Sequence, residues 1–179
     1  MAQGSIVYRF TLDVSDTERG VYEQADVRLP LHPSETPQFL VARALAWSLN
    51  LQEGLEASAG VCAGDEPAMR VVGLDGQVRA WIEVGSLDAT RLERAARAAP
   101  TVRVYCHRDA RPLAQQAAMV RPERLARIEL FALPVPLLDA LGARLRRTNE
   151  WSVLHTEGEL FVTVDGETLS GTVERIGGG

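Results

Sequence analysis

Two short acidic stretches hold the side chains best suited to chemistry, Gly64-Asp65-Glu66-Pro67 and Trp81-Ile82-Glu83-Val84-Gly85. An apolar run and a tight Asp75-Gly76 turn separate them, so the chain is expected to double back as an antiparallel hairpin. Such pairing can set an acid at the start of one strand beside an acid on the return strand. Paired carboxylates suit a hard divalent cation, Mg²⁺ or Mn²⁺, which takes one or two carboxylates and fills its remaining positions with water or phosphate oxygens. Glu66 and Glu83 are the expected ligands, with Asp65 beside them. Adjacent strand residues point to opposite faces, so the spacing leaves open whether Asp65 or Glu66 faces the site. In a partly buried place the acids would repel one another, so either a cation sits between them or one carries a proton. The plainer reading is two strand-end carboxylates without a metal.

Other chemistries find less support. All 19 basic residues are Arg and none is Lys, which removes Schiff-base, lysine-base and P-loop mechanisms and leaves cations that only bind or stabilise anions. His32, His107 and His155 are far apart in sequence, and each reads as structural or exposed. No Gly-x-Ser-x-Gly, Gly-x-Gly-x-x-Gly or Walker pattern occurs. Cys62 and Cys106 read as buried free thiols and make a poor zinc site.

Charge is unevenly spread. Residues 91–127 hold nine Arg against Glu93, Asp109 and Glu123, a local +6 in a chain of net charge −5, which leaves −11 elsewhere. This basic segment either meets a phosphate backbone or pairs with the chain's own acids, and pairing is the plainer expectation.

The elements that must position these groups follow from periodicity. With 46% hydrophobic residues in 179, the chain can bury a core as one domain, expected over 1–176 with a flexible 177–179 tail. Without an apolar run of bilayer length or a leader at its start, it is expected to be cytoplasmic, with no membrane partner. Alternation predicts strands at Ile6–Val14 and Val21–Leu29, forming a hairpin. Ser34 is placed to cap a helix reaching about Leu51, with Glu35 in its first turn, favoured by the helix dipole or turned into a site. Residues 52–60 suggest a frayed second helix, with a small, flexible run at 59–64. Strands at Ala68–Leu74 and Val78–Val84 form the central hairpin. An amphipathic helix follows Asp88, with Arg91, Arg94 and Arg97 opposite Leu92, Ala95, Ala96 and Ala99, and Pro100 ends it. A strand at Thr101–Cys106 completes a βαβ unit and implies a parallel pair. A helix at Pro112–Met119, a strand at Ile128–Leu133, a helix at Pro136–Arg147, and strands at Ser152–Thr156, Glu159–Val164 and Thr168–Glu174 complete a mixed α/β fold.

Several of these residues carry a family resemblance. His32-Pro33-Ser34-Glu35-Thr36, Arg43, Leu45-Ala46-Trp47, Cys62, Asp65-Glu66-Pro67, Trp81-Ile82-Glu83-Val84-Gly85, and Asp88 followed by Arg91-Leu92 and Ala95 resemble the YaeQ family of small bacterial proteins. The ordered matches span about residues 5–106, and the later half fits more loosely. The resemblance implies a restriction-endonuclease-like core related to the PD-(D/E)XK nucleases, a mixed sheet flanked by helices with added β-hairpins. Under it, Asp65-Glu66-Pro67 resembles the acidic approach to the first core strand, Glu83 the acid of the (D/E)XK strand, and Glu35 the helix acid that joins such sites. The superfamily lysine would fall at Gly85. The catalytic expectation is therefore Glu66 and Glu83, with Asp65, holding Mg²⁺ or Mn²⁺, the metal activating a water, and Arg91 and Arg94 clamping a phosphodiester. Glu35 and Arg97 complete the expected substrate contacts. The alternative is a non-catalytic member of the fold that binds a nucleic acid or a protein, its lysine lost. No oligomeric state follows from the sequence.

Overall fold

In the computed structural model, which describes residues 4–58 and 65–177, two mixed sheets enclose one buried helix. The 59–64 run, with Cys62 and Gly64, and the last two glycines lie outside the described residues.

The first sheet begins with the expected hairpin. Strands β1 (Ile6–Asp16) and β2 (Val21–Leu31) pair without a break from Ile6↔Leu31 to Asp16↔Val21. Both run two residues past the alternation. Asp16 keeps the inward face, buried at 1% exposure, because its carboxylate accepts the Glu18 and Arg19 amides and the Arg19 guanidinium at 2.7 Å. Pro30 does not end β2, since β2 is the sheet's edge, where a proline removes no needed ladder bond.

Helix α1 (Pro37–Leu49) starts later than expected. Thr36, not Ser34, is the cap: it is extended, and its hydroxyl accepts the Phe39 amide at 3.2 Å. Pro37 dictates this, because it fits the first helical position and keeps the residue before it out of helical conformation. Glu35 thus lies outside the first turn, and the dipole reading is corrected. Leu40 to Leu49 are all buried, Arg43 and Ser48 among them, so α1 is covered all round and runs between the sheets.

The second sheet has six strands, in the order Glu174–Ile176, Ile128–Ala132, Thr101–Cys106, Val78–Val84, Met69–Val72 and Leu55–Ala57. Strand β3 (Leu55–Ala57) stands where a frayed helix was expected, and pairs antiparallel with β4 (Met69–Val72). Gly54 explains the change. Its φ of +82° breaks a helix, and a Cβ there would lie 2.1 Å from the Val72 carbonyl oxygen, so only glycine lets the two backbones meet. The central hairpin forms as expected, with β5 (Val78–Val84) antiparallel to β4.

Asp88 caps α2 (Ala89–Ala98), accepting the Arg91 amide at 2.8 Å, and Leu92, Ala95 and Ala96 are its buried face. Strand β6 (Thr101–Cys106) then runs parallel to β5, as the βαβ pattern requires. Helix α3 (Arg111–Ala117), a short α4 (Pro122–Leu125) that periodicity missed, and β7 (Ile128–Ala132), parallel to β6, complete the parallel part.

Helix α5 (Val135–Gly142) is shorter than expected, and β8 (Thr148–Thr156) correspondingly longer. The difference is tertiary. Residues 148–151 pair in parallel with residues 9–12 of β1, and the Asn149 side chain donates to the Arg146 carbonyl while accepting the Arg146 amide. Strand β9 (Glu159–Val164) follows as expected. The last expected strand divides in two. β10 (Glu167–Thr172) closes the first sheet, and β11 (Glu174–Ile176) crosses to the edge of the second, antiparallel to β7.

Candidate functional site around Glu83

Trp81 and Glu83 lie two residues apart on β5 and so share the face that α2 covers. Glu83 is buried, 4% exposed, in a sheet interior where a bare carboxylate would be costly. Three donors meet that cost. The Trp81 indole N–H donates to its Oε1 at 3.0 Å, the Arg91 Nε at 2.9 Å, and the Ala68 amide also bonds to it. The second Arg91 nitrogen, Nη2, stands 2.7 Å from the same oxygen. Burial pushes the Glu83 carboxyl above its ordinary range, against the pull of Trp81 and Arg91.

Arg91 lies in the first turn of α2, which Asp88 fixes, and its guanidinium also donates to the Glu66 carbonyl at 3.0 Å. One cation therefore ties the two acidic stretches together. The strand register explains why the carboxylates differ in setting. Met69 is opposite Ile82, so one further step puts Ala68 across from Glu83, and Glu66 falls two residues beyond, past the last paired residue. Glu66 is exposed and borders a 230 Å³ hollow with Pro67, Met69 and Arg70. Asp65 is also exposed and pairs with Arg94. Among the described residues, no three of His, Cys, Asp and Glu form a group that could hold a metal.

The remaining expected residues lie apart from Glu83. Glu35 accepts the His32 amide at 2.8 Å and meets the buried Arg43 at 3.4 Å. Arg43 also donates to the Pro30 carbonyl, and burial lowers its pKa while Glu35 opposes the change. Arg97 is exposed in the last turn of α2. Gly85 takes φ +123°, a backbone that residues with a Cβ rarely adopt. The basic segment pairs with the chain's own acids, Arg91, Arg94 and Arg103 with Glu83, Asp65 and Glu129 outside it and Arg111 with Asp109 inside it. Arg121 holds Glu93 at 2.8 Å, bringing that carboxyl down to about 2, and Arg124 and Arg127 donate to the Ala96 carbonyl. Cys106 is a buried free thiol. Sequence reasoning missed Trp81 as a donor, although its spacing of two from Glu83 on a strand was a readable signal.

The fold and site together define a mixed α/β protein in which a buried strand carboxylate is held by the first turn of the following helix. The family model described as YaeQ protein matches residues 1–173, and the chain belongs to that family. It is 27% identical over 170 residues to "Uncharacterized protein YaeQ" of Escherichia coli strain K12, covering 94% of each chain. The crystal structure of YaeQ protein from Pseudomonas syringae superposes with a TM-score of 0.86 at 30% identity, over 98% of this chain and 97% of that one. The corresponding figures for YaeQ protein from Xanthomonas axonopodis pv. citri are 0.87, 26%, 96% and 97%. No helix among the described residues is long and apolar enough to cross a membrane.

Proposed function

We propose that this chain is a nucleic-acid-binding protein on a nuclease-like PD-(D/E)XK frame, without phosphodiester cleavage of its own. The observation that carries this reading is the seat of Arg91 against Glu83, where a catalytic cation would have to sit. A guanidinium there already neutralises the acid, and the exposed Glu66 meets that guanidinium through its carbonyl. Two further features support it. The order α1, β3, β4, β5, α2, β6, with β5 and β6 parallel, gives a mixed sheet flanked by helices, in keeping with the core the resemblance implies. The position of its lysine is Gly85, whose φ of +123° disfavours any side chain.

The phosphate-binding surface on this reading is the outer face of α2. Arg94 and Arg97 are exposed there, and the carboxylate that pairs with Arg94, that of Asp65, belongs to a side chain 85% exposed. Such surface pairs contribute about 0–1 kcal/mol, so a phosphate can compete with the carboxylate.

One observation favours the catalytic reading as the second. Arg91 bridges the Glu83 carboxylate and the Glu66 carbonyl, so Mg²⁺ or Mn²⁺ replacing the guanidinium would meet those two oxygens, with the released Arg91 and the neighbouring Arg94 to clamp the phosphate.

The test is fluorescence anisotropy with short labelled DNA and RNA, single- and double-stranded, at several salt concentrations, run beside a cleavage assay in Mn²⁺. The expected result is salt-dependent binding without cleavage, the log-log salt slope falling by about one unit for each arginine removed in Arg94→Ala and Arg97→Ala. Absence of salt-dependent binding overturns the proposal. Mn²⁺-dependent cleavage that vanishes in Glu83→Ala replaces it with the catalytic reading.

A further inference from the structure

A cavity of about 420 Å³ opens between the two sheets, beside the C-terminus of α1 and away from the α2 face that holds Glu83. That volume is in the range of small-ligand sites. Its walls combine apolar surface with several ionised groups, and those groups are arranged by sign.

At one end, Arg103 of β6 and Arg175 of β11 share a single carboxylate, Glu129 of β7, at 3.0 and 3.3 Å. Two guanidiniums against one acid leave this end with an excess positive charge. Arg103 also donates to Asn50 Oδ1 at 2.8 Å, and Asn50 in turn donates to the Tyr105 hydroxyl at 2.9 Å. Burial pushes that phenol up to about 12, so it stays protonated. Having accepted from Asn50, it keeps its own proton for an acceptor in the cavity.

The other end is reversed. Asp16 and Glu18 face one guanidinium, Arg19, which is committed to Asp16 and to the Ser48 and Leu51 carbonyls at the end of α1. Glu18 accepts the Gly158 amide with Oε1 alone, which leaves its other oxygen available. His155 lies between these acids, its buried Nδ1 3.3 Å from Asp16 Oδ2 and its Nε2 3.7 Å from Glu18 Oε1. Between the ends lie the stacked rings of Tyr105 and Phe131, their centroids 5.1 Å apart, with Leu49 and Val173.

A plain anion would meet Glu18 and Asp16 at the far end, and a plain cation would meet Arg103 and Arg175. A molecule with opposite charges at its ends satisfies both. We propose that this cavity binds a small zwitterion of the amino-acid or dipeptide class, its carboxylate at Arg103, Arg175 and Tyr105 and its ammonium at Glu18 and His155. The inference stands independently of nucleic-acid binding, because its groups lie on the opposite face of β6 from α2.

The probes are the twenty common L-amino acids and their simple dipeptides, screened by thermal shift and followed by calorimetry, each hit beside its deaminated acid and its decarboxylated amine. Arg175 and Glu18 are partly exposed, so Arg175→Ala and Glu18→Gln should fold. The expected result is a zwitterion that raises the melting temperature and binds about tenfold or more tighter than either truncated analogue. Arg175→Ala should weaken the zwitterion and the acid alike, whereas Glu18→Gln should weaken only ligands that carry an amine. A screen without a hit overturns the proposal. A deaminated acid that binds as well as its parent, unaffected by Glu18→Gln, also overturns it and makes the cavity a simple anion site.

Discussion

Asp16 and Glu83 are both acids buried in strands, yet their environments move them in opposite directions. Desolvation raises both. At Asp16 the Arg19 hydrogen bonds and charge, with His155 nearby, outweigh it and hold the carboxyl below its ordinary 3.8. At Glu83 burial wins, and the carboxyl stays above its ordinary 4.5. The linkage signs follow. The stability due to Asp16 is complete above its unfolded value and is lost as pH falls through the lowered folded one, whereas that due to Glu83 is complete below 4.5 and is lost as pH rises through the raised one. Urea unfolding at several pH values should therefore show Asp16→Asn costing about 2 kcal/mol near neutrality, with the gap to wild type closing below about pH 4. Glu83→Gln should gain on wild type as pH rises above 4.5. Parallel pH profiles for the two variants would contradict this account.

At the scale of the element, the start of α1 shows where a local signal misleads. Ser34 and Thr36 are both good caps, and a helix beginning at Glu35 would satisfy dipole and propensity alike. Pro37 decides between them by its position. Ser34 instead meets the His32 ring at 2.6 Å, and Glu35 turns back to the His32 amide. Thr36→Ala should accordingly cost about 1 kcal/mol, while Ser34→Ala should stay within about 0.5 kcal/mol, as surface substitutions commonly do. Chemical denaturation of the two variants separates the assignments, and equal losses would restore Ser34 to the cap. Gly54 is the same lesson in a strand, because a helix-compatible composition yields to one backbone approach.

At the scale of the molecule, α1 is the shared core. Leu45 is fully buried in it, within a cluster that includes Phe10, Leu12, Trp151 and Val162 of the first sheet and Met69, Ile82 and Tyr105 of the second. Neither sheet can keep its inner face dry without this helix. Leu45→Ala should cost about 2–5 kcal/mol. Circular dichroism and tryptophan fluorescence should report one coincident transition in wild type and variant. Separate transitions would mean that the sheets hold their structure independently.

What the sequence determined by itself was local. Period-two alternation placed β1, β2 and β9, short apolar runs placed β5 and β6, Asp75-Gly76 marked the central hairpin, and the βαβ order required the parallel β5–β6 pair. Asp88, Arg91 and the small apolar residues were enough to draw α2 and the face it buries, because caps and amphipathic stripes depend on neighbours within a turn. The tertiary structure decided what depends on distant partners. Residues 148–151 became strand through β1, β11 crossed between the sheets, and Arg91 rather than a second carboxylate came to rest on Glu83. The cavity between the sheets was not legible either, since Asp16, Arg103, Glu129, His155 and Arg175 come from five strands whose meeting depends on the crossing of sheets around α1. Periodicity reports which face of an element is buried, but not what another element brings to that face.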